Sequence, residues 1–254
     1  MIEVRSVFFS YGGKSVISDL SATFRAGTLY GIVGPNGCGK TTLIRLLCGL
    51  ARPTAGQISL EGHPYGEYDR REFAKRVSLL PQSRSLPCVS VGELTARGRY
   101  PYLGRTRRMT PSDRAAVERA LMDAKASDLR DRDVSTLSGG ERQRVCLALL
   151  GAQDTPCVLL DEPTTYLDLS SRFSLMEQMR FWAEQGKCVI AVLHDLSLAL
   201  RYCDCVGVMD QGKFCAFDTP ENLLESKAWE QVFSVRCLPV DAAGEHDVVF
   251  LPIK

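Results

Sequence analysis

The chain lacks the features that would carry it into or across a membrane. No apolar run approaches the roughly 20 residues that a membrane-spanning helix needs, and the apolar run at 189–193 has only the length of a strand. The first ten residues contain neither the apolar stretch nor the small-residue cleavage site of a secretion signal. We therefore expect a cytoplasmic location, with only peripheral contact to a membrane.

An excess of charge of one sign is also missing. The chain has 31 Lys and Arg against 30 Asp and Glu, a net charge of +1, whereas nucleic-acid-binding domains are usually strongly basic. This balance argues against nucleic acid as a partner. Basic residues do cluster locally, and either a solvated loop or contact with membrane subunits or anionic headgroups explains them. The cluster consists of Arg97, Arg99, Arg105, Arg107 and Arg108.

Histidine is scarce, whereas cysteine is common: the chain has 3 His and 10 Cys. The cysteines are irregularly spaced. Cys203 and Cys205 form C-x-C rather than C-x-x-C, and no His stands at ligand spacing from them. We therefore expect reduced thiols in a cytoplasmic core, and neither a zinc site nor a disulfide framework.

The hydropathy pattern predicts an α/β fold with a mainly parallel sheet. Segments 2–9 and 16–24 partly alternate, which indicates two antiparallel strands, and 29–33 has the apolar run of a strand buried on both faces. Residues from about 88 to 150 show helical patterns only. Strands and helices then alternate from 157, as in parallel βαβ units, and a small hairpin around Ala243-Gly244 is predicted after about 235.

A phosphate-binding loop follows the strand at 29–33. The sequence GPNGCGKTT matches G-x-x-x-x-G-K-[ST], in which glycines let backbone N–H groups face phosphate oxygens. Lys40 would neutralise phosphate charge and the Thr41 hydroxyl would bind Mg²⁺. Cys38, close to Lys40 and to a helix start, is expected to have a lowered thiol pKa. The predicted phosphate-binding residues are Gly34, Asn36, Gly37, Cys38, Gly39, Lys40, Thr41 and Thr42.

Polar residues at the ends of other strands are candidates for catalysis. Asp161 and Glu162 end an apolar strand that we expect beside the phosphate-loop strand, with Asp161 near Mg²⁺ and Glu162 near an attacking water. His194 follows the strand predicted to come next in the sheet, which favours γ-phosphate contact over a capping role. Gln82 is either a polar loop residue or a hinge that senses Mg²⁺ or the attacking water.

A second glycine pair lies in the signature stretch 137–143, Leu-Ser-Gly-Gly-Glu-Arg-Gln. It is predicted to open a helix with no partner strand, where unpaired N–H groups and the helix dipole favour an anion. Two phosphate-binding helix starts in one chain leave two possibilities. Both serve one nucleotide within the chain, or each serves a nucleotide shared with a second copy.

These motifs, in this order, resemble the ATP-binding subunits of ABC transporters over about residues 2–235. The resemblance implies one ABC ATPase domain over 1–254, with a P-loop core, an N-terminal antiparallel β-subdomain, a helical subdomain at about 88–150 and a C-terminal extension at about 235–254. It also implies that Tyr11 stacks on adenine and that Asp168 lies at the bound nucleotide. The motifs that carry the resemblance are 34–42, Gln82, 137–141, 157–162, the 166–168 D-loop with Asp168, and His194.

The family pattern further implies a head-to-tail dimer. Lys40 of one copy and Ser138, Gly139 and Gly140 of the other would clamp the same ATP, and hydrolysis through Glu162 and His194 would separate the copies. Integral membrane permease subunits would bind near Gln82 and the helical subdomain. A substrate-binding protein would be an indirect partner.

Three stretches resemble the subfamily that imports iron–siderophores, haem or vitamin B12: 96–104, 162–169 and 193–199. We expect iron–siderophore as cargo, with haem and cobalamin as alternatives. Tyr102 replaces the Asn or His usual in the family, a change expected to affect the membrane-facing surface. A non-transport ABC ATPase acting on DNA or ribosomes would need a long coiled-coil insert or two cassettes, and a regulatory ATP sensor would lack Glu162.

Overall fold

Two β-sheets, flanking helices and a small hairpin make up the fold. The computed structural model describes residues 1–82, 87–104, 106, 108–165, 167–242 and 245–253. The strands are β1 (Ile2–Tyr11), β2 (Lys14–Phe24), β3 (Thr28–Val33), β4 (Ala55–Leu60), β5 (His63–Pro64), β6 (Val77–Leu80), β7 (Cys157–Asp161), β8 (Cys188–Val192), β9 (Cys205–Asp210), β10 (Lys213–Asp218), β11 (Val235–Ala242) and β12 (Glu245–Pro252). The helices are α1 (Lys40–Leu47), α2 (Arg70–Ala74), α3 (Val91–Ala96), α4 (Pro111–Asp123), α5 (Gly139–Gln153), α6 (Leu169–Glu184), α7 (Leu196–Tyr202), α8 (Pro220–Leu224) and α9 (Ala228–Phe233).

The larger sheet has six strands in the order β10-β9-β3-β8-β7-β6. Every neighbouring pair from β9 to β6 is parallel, and β10 pairs antiparallel with β9. Strands β7 and β8 are buried along their whole length, as expected for parallel strands covered on both faces. The predicted α/β class with a mainly parallel sheet is therefore confirmed.

One predicted neighbour in this sheet is wrong. β7, which ends in Asp161, does not lie beside β3, because β8 pairs with β3 on one side and with β7 on the other. In parallel sheets a helical crossover carries the chain over the sheet face, so sequence order does not fix which strands are neighbours. The strand that precedes His194, β8, is therefore a direct neighbour of the phosphate-loop strand.

Helix α1 is held between the two sheets. The smaller sheet has the order β2-β1-β4-β5 and is antiparallel, as predicted for its first two strands. Its inward residues form one core cluster with α1 and with one face of the larger sheet. Leu43, Ile44, Leu46 and Leu47 of α1 are each at most 1% exposed. The helix after the phosphate loop therefore has little freedom to move.

The helices of 91–153 have capping residues encoded in the sequence. Ser90 and Ser138 each form a reciprocal capping box with the Glu three residues later, and Thr110 does the same with Asp113. Such boxes satisfy N–H groups that the helix itself leaves unpaired. The starts of α3, α4 and α5 are therefore set by local sequence.

The end of α5 is capped by side chains from a 3-10 turn at Arg97–Tyr102. Arg99 Nη1 donates to Ala152 O at 2.9 Å, and the Tyr102 hydroxyl donates to Gln153 O at 2.8 Å. The Arg99 guanidinium lies 3.8 Å from the Tyr102 ring centre. Tyr102, expected to alter a membrane-facing surface, thus uses its hydroxyl on the end of α5. Arg105 and Arg107 of the basic cluster lie outside the described residues.

Strands β11 and β12 pair antiparallel, as predicted for the segment after about 235. One face of this hairpin packs on the core, where the Phe250 and Trp229 rings lie 5.5 Å apart. The predicted turn at Ala243-Gly244 is outside the described residues. Among the residues that are described, no helix is long and apolar enough to cross a bilayer.

Candidate functional site

The phosphate loop connects β3 to α1 with little room for side chains. A Cβ on Gly34 would lie 2.2 Å from Met209 O, so only glycine fits. Gly39 has φ +112° at the N-cap of α1, in the region that favours glycine. Lys40 Nζ donates to Gly34 O at 2.7 Å and Pro35 O at 2.9 Å. These two hydrogen bonds hold the amine over the loop. Lys40 is only 5% exposed.

A hairpin turn far along the chain anchors the loop. Gln211 and Gly212 join β9 to β10 with φ +44° and +78°, as in the type I′ turns of two-residue hairpins. Gly212 N donates to Cys38 O at 2.9 Å, and Gly212 O accepts from Ser18 N at 3.1 Å. One residue therefore links the loop to β10 of the large sheet and β2 of the small one.

The expected lowering of the Cys38 pKa is wrong. The thiol is 5% exposed, and burial raises its pKa because the thiolate loses hydration. The charge of Lys40 acts in the opposite direction but more weakly. The proximity of Lys40 was visible in the sequence, whereas the desolvation depends on packing against Gly34 and its surroundings.

Asp161 and Thr41 meet across the end of the sheet. Thr41 Oγ1 donates to Asp161 Oδ1 at 3.3 Å. The two residues meet even though β8 lies between β7, which ends in Asp161, and β3, which leads into the phosphate loop. Burial raises the pKa of the Asp161 carboxyl, and the negative charge of Glu162 adds to this. A divalent cation would favour the ionised form, and hydroxyl and carboxylate oxygens are the donors that Mg²⁺ prefers. The residues therefore fit the predicted ion.

Glu162 is the centre of the predicted catalytic group. Gln82 Nε2 donates to its Oε2 at 2.6 Å, and His194 Nε2 lies 2.7 Å from its Oε1. Its backbone has φ +50°, a left-handed conformation that non-glycine residues adopt at an energetic cost and often at functional sites. The structure thus brings all three predicted catalytic side chains together, next to Asp161.

Tyr11, the residue predicted to stack on adenine, lies at the end of β1 beside α1. Its hydroxyl accepts from Arg45 Nη1 at 3.4 Å, one turn beyond Thr41, and its ring packs edge-on against Phe9 with centres 4.7 Å apart. The ring is 46% exposed. An exposed aromatic face next to the phosphate loop is suited to stacking on a planar base.

The other predicted phosphate-loop residues differ in exposure. Asn36 and Gly37 are exposed at the tip of the loop, where φ is +81° at Gly37. Thr42 is 8% exposed within α1. The exposed tip leaves backbone N–H groups accessible, as anion binding requires.

Ser138, Gly139 and Gly140 open α5, as the signature stretch predicts. Ser138 Oγ accepts from Glu141 N at 3.3 Å, and Glu141 Oε2 accepts from Ser138 N at 2.8 Å. That backbone hydrogen bond holds the pKa of Glu141 below its usual range. Among the described residues, no hydrogen bond or ion pair joins these three residues to the phosphate loop.

Asp168, predicted to be near nucleotide, caps the start of α6. Its Oδ1 accepts from Ser171 N at 2.7 Å, and this hydrogen bond holds the carboxyl pKa below its usual range. A Cβ on Gly140 would lie 3.6 Å from Ser171 Oγ, so the starts of α5 and α6 are side by side. Tyr166 of the same motif is outside the described residues.

Sequence reasoning gave no role to Gln143, Arg45 or Gly212. Gln143 ends the signature stretch and is 7% exposed, with Nε2 donating to Pro163 O at 3.2 Å. Gln143 stands between Arg142 and Arg144 in the sequence, so its local pattern gave no indication that it is buried. Nothing in the local sequence linked Gly212 to a loop 170 residues earlier.

A groove of about 520 Å³ lies between the sheet edge and the helices, close in sequence to Gln82. Leu79 and Pro81 form one wall, Leu149 of α5 forms another, and Arg97 and Tyr100 border the opening. Tyr100 is 61% exposed. An apolar floor with a basic, aromatic edge is suited to binding a short segment of another chain.

Comparison with known proteins identifies the family. A model of the ABC transporter family matches residues 17–165. The chain is 39% identical over 244 residues to a hemin import ATP-binding protein of Pseudomonas entomophila, covering 94% of each chain. It is 39% identical over 233 residues to the ferric enterobactin transport ATP-binding protein of Escherichia coli, covering 91% of this chain and 86% of the relative.

Solved structures agree on the fold. A structure assigned to the metal-chelate type of ABC transporter, in an inward-facing conformation, superposes with a TM-score of 0.86 at 24% identity. The match covers 100% of this chain and 97% of the other. The phosphate loop, the Asp161–Glu162 pair and the signature stretch are thus set in the fold the family uses, and the chain belongs to the ABC transporter family as one of its ATPase subunits.

Proposed function

We propose that this chain powers the import of an iron–siderophore complex, with haem or cobalamin as related cargo, by hydrolysing ATP between two head-to-tail copies. The observation that carries the proposal is the cluster of Gln82, Glu162 and His194 beside Asp161. Relatives with 39% identity that act in hemin import and ferric enterobactin transport support an iron-containing cargo.

ATP binding uses the phosphate loop and Tyr11. Exposed N–H groups at the loop tip and the start of α1 face the phosphates, and Lys40 moves from the carbonyls of Gly34 and Pro35 to phosphate oxygens. Tyr11 stacks on adenine. Mg²⁺, held by Thr41, Gln82 and Asp161, would neutralise phosphate charge when bound.

Hydrolysis uses Glu162 as the group that orients water and accepts its proton. Gln82 and His194 each contact a different carboxylate oxygen, at 2.6 and 2.7 Å, so the carboxylate is held from both sides. His194 is also available to donate to the γ-phosphate. The positive φ of Glu162 projects its side chain out of the strand end, towards both partners.

The dimer gives the second helix start a role. Among the described residues, no hydrogen bond or ion pair joins Ser138, Gly139 and Gly140 to the phosphate loop of their own chain. A second copy, turned head to tail, supplies the missing loop, so each ATP is bound by both copies. Asp168 lies beside this contact, at the neighbouring helix start.

The membrane partner is an integral permease, and the groove near Gln82 is its docking site. Its apolar floor and the edge formed by Arg97 and Tyr100 fit a short amphipathic segment. Binding there places the chain on the cytoplasmic face of the membrane as a peripheral subunit. A substrate-binding protein would deliver cargo to the permease without contacting this chain.

The decisive variant is Glu162→Gln, which keeps the side-chain volume but cannot accept the proton. We expect turnover to fall by a factor of about 10² or more, while ATP binding persists. Size-exclusion chromatography with saturating ATP should show a stable dimer. A monomer under these conditions would contradict the shared-site arrangement.

Glu67→Gln is the matched control, because Glu67 also lies beside a histidine, 3.2 Å from His63 Nδ1, but on the surface. It should hydrolyse ATP like the unmodified chain. Cargo is assigned by growth of a deletion strain on ferric siderophore, haem or cobalamin, complemented with the unmodified gene or Glu162→Gln. Rescue on haem or cobalamin alone would refute the siderophore assignment.

A further inference from the structure

The backbone turn that carries Glu162 is fixed from outside by a buried glutamine. Thr165 N donates to Glu162 O at 3.3 Å, so residues 162–165 form a turn with Pro163 at its second position. Pro163 is buried. Gln143 Nε2 donates to that carbonyl at 3.2 Å.

The chemistry of this contact leaves one orientation for the amide. A carbonyl oxygen only accepts, so the NH₂ group of Gln143 must face Pro163. Gln143 is 7% exposed, and a buried carbonyl that loses its donor is costly to leave unpaired. The hydrogen bond therefore fixes the plane of the Pro163–Thr164 peptide, the second peptide after Glu162.

We propose that Gln143 is a positioning residue for the catalytic carboxylate. It ties the turn after Glu162 to α5, five residues beyond Ser138. The inference rests on the proposed function, since it takes Glu162 as the group that activates water. Within one chain, the helix that opens with the signature serine thus also holds the chain's own Glu162 in register with Gln82 and His194.

The test is Gln143→Met in the full-length chain, which keeps the length of the side chain and removes the donor. A misplaced Glu162 lowers turnover, and we expect kcat to fall about 10- to 100-fold. The KM for ATP and the affinity for a fluorescent ATP analogue should stay within about twofold, because the phosphate loop and Tyr11 are untouched. A purely structural role would not separate kcat from KM in this way.

Tyr68→Phe is the matched control for loss of a side-chain bond to a backbone carbonyl. The Tyr68 hydroxyl donates to Leu60 O at 2.8 Å, remote from the site, and its loss should leave kcat unchanged. Gln143→Glu is the second variant, since its carboxylate has the same size but presents only acceptors to Pro163 O. It should reproduce the fall in kcat.

Normal kcat in both folded Gln143 variants would overturn the inference, and so would failure of both to fold. Glu162→Gln separates this failure from that of the proposed function. If Glu162→Gln is inactive while Gln143→Met turns over normally, only the positioning role is refuted. If Glu162→Gln keeps its turnover, the proposed function itself is wrong.

Discussion

Replacing Gly212 by alanine tests whether the β9–β10 turn supports the phosphate loop. The backbone at Gly212 has φ +78°, and an added Cβ would lie 2.3 Å from Val16 O and 3.0 Å from Ile17 Cα. A left-handed backbone costs a non-glycine residue about 1 kcal/mol. Forcing the β9–β10 turn away from the backbone of β2 adds about 1–3 kcal/mol. The expected loss in free energy of unfolding is therefore roughly 2–4 kcal/mol.

Comparison with Gly62→Ala separates the steric part of this loss from the conformational part. Gly62 has φ +84° and nothing within 4 Å of an added Cβ, so it should lose only the conformational part, about 1 kcal/mol. For a chain of this size, 1 kcal/mol corresponds to about 2–4 °C in Tm. Gly212→Ala should thus melt roughly 4–16 °C below the unmodified chain, and Gly62→Ala about 2–4 °C below it.

Two measurements complete the test. Thermal unfolding followed by circular dichroism gives the difference between the two variants. Titration with a fluorescent ATP analogue should show weaker binding only in Gly212→Ala, because the bond from Gly212 N to Cys38 O shifts with the turn. Equal Tm losses, or equal ATP affinities, would refute the claim that this turn supports the loop.

Two further predictions concern titrating groups. Because burial raises the pKa of Cys38, maleimide should label it at pH 7 at about a tenth of the rate of exposed Cys88 or slower, and equal rates by peptide mass spectrometry would contradict this. Hydrogen bonds from the Thr110 hydroxyl, then from the Thr110 backbone N–H and then from Arg99 hold the pKa of Asp113 below its usual range, although burial acts in the opposite direction. The stabilisation from ionised Asp113 is therefore complete above about pH 4, the pKa of an ordinary Asp in the unfolded chain. It is lost as the pH falls through the lower pKa that Asp113 has in the folded chain. Asp113→Asn should therefore reduce the free energy of unfolding at pH 7 by about 2–4 kcal/mol. Denaturant titrations should show that this difference between variant and unmodified chain becomes smaller below pH 4. A difference that is the same at every pH would disprove the argument.

Local patterns in the sequence predicted the fold class and the elements around the site. Continuous apolar runs predicted the buried strands β3, β7 and β8. The spacing of the glycines predicted the phosphate-binding loop before α1. The glycine pair of the signature stretch predicted the start of α5, where the structure also shows a capping box between Ser138 and Glu141. These features depend on residues within a few positions of one another, which explains why sequence alone was enough.

The errors and omissions all involve distant parts of the chain. The position of β8 between β3 and β7 depends on how crossovers are laid on the sheet. The raised pKa of Cys38 depends on burial rather than on its neighbour Lys40. The bonds of Gln143 and Gly212 reach backbone atoms 20 and about 170 residues away, and no local pattern encodes such a partner.

Helix α5 connects three parts of the molecule: the signature serine, the turn that carries Glu162, and the groove. The helix has 15 residues, a length of about 22 Å, and its contact with Pro163 lies about 7 Å from Ser138 and about 15 Å from Gln153. Gln153 lies at the groove, where Arg99 and Tyr102 clamp the far end. A shift of α5 as a rigid body, imposed at the groove, would therefore move Ser138 and the Pro163 contact together, so the signature serine and the turn that carries Glu162 would respond to the same displacement.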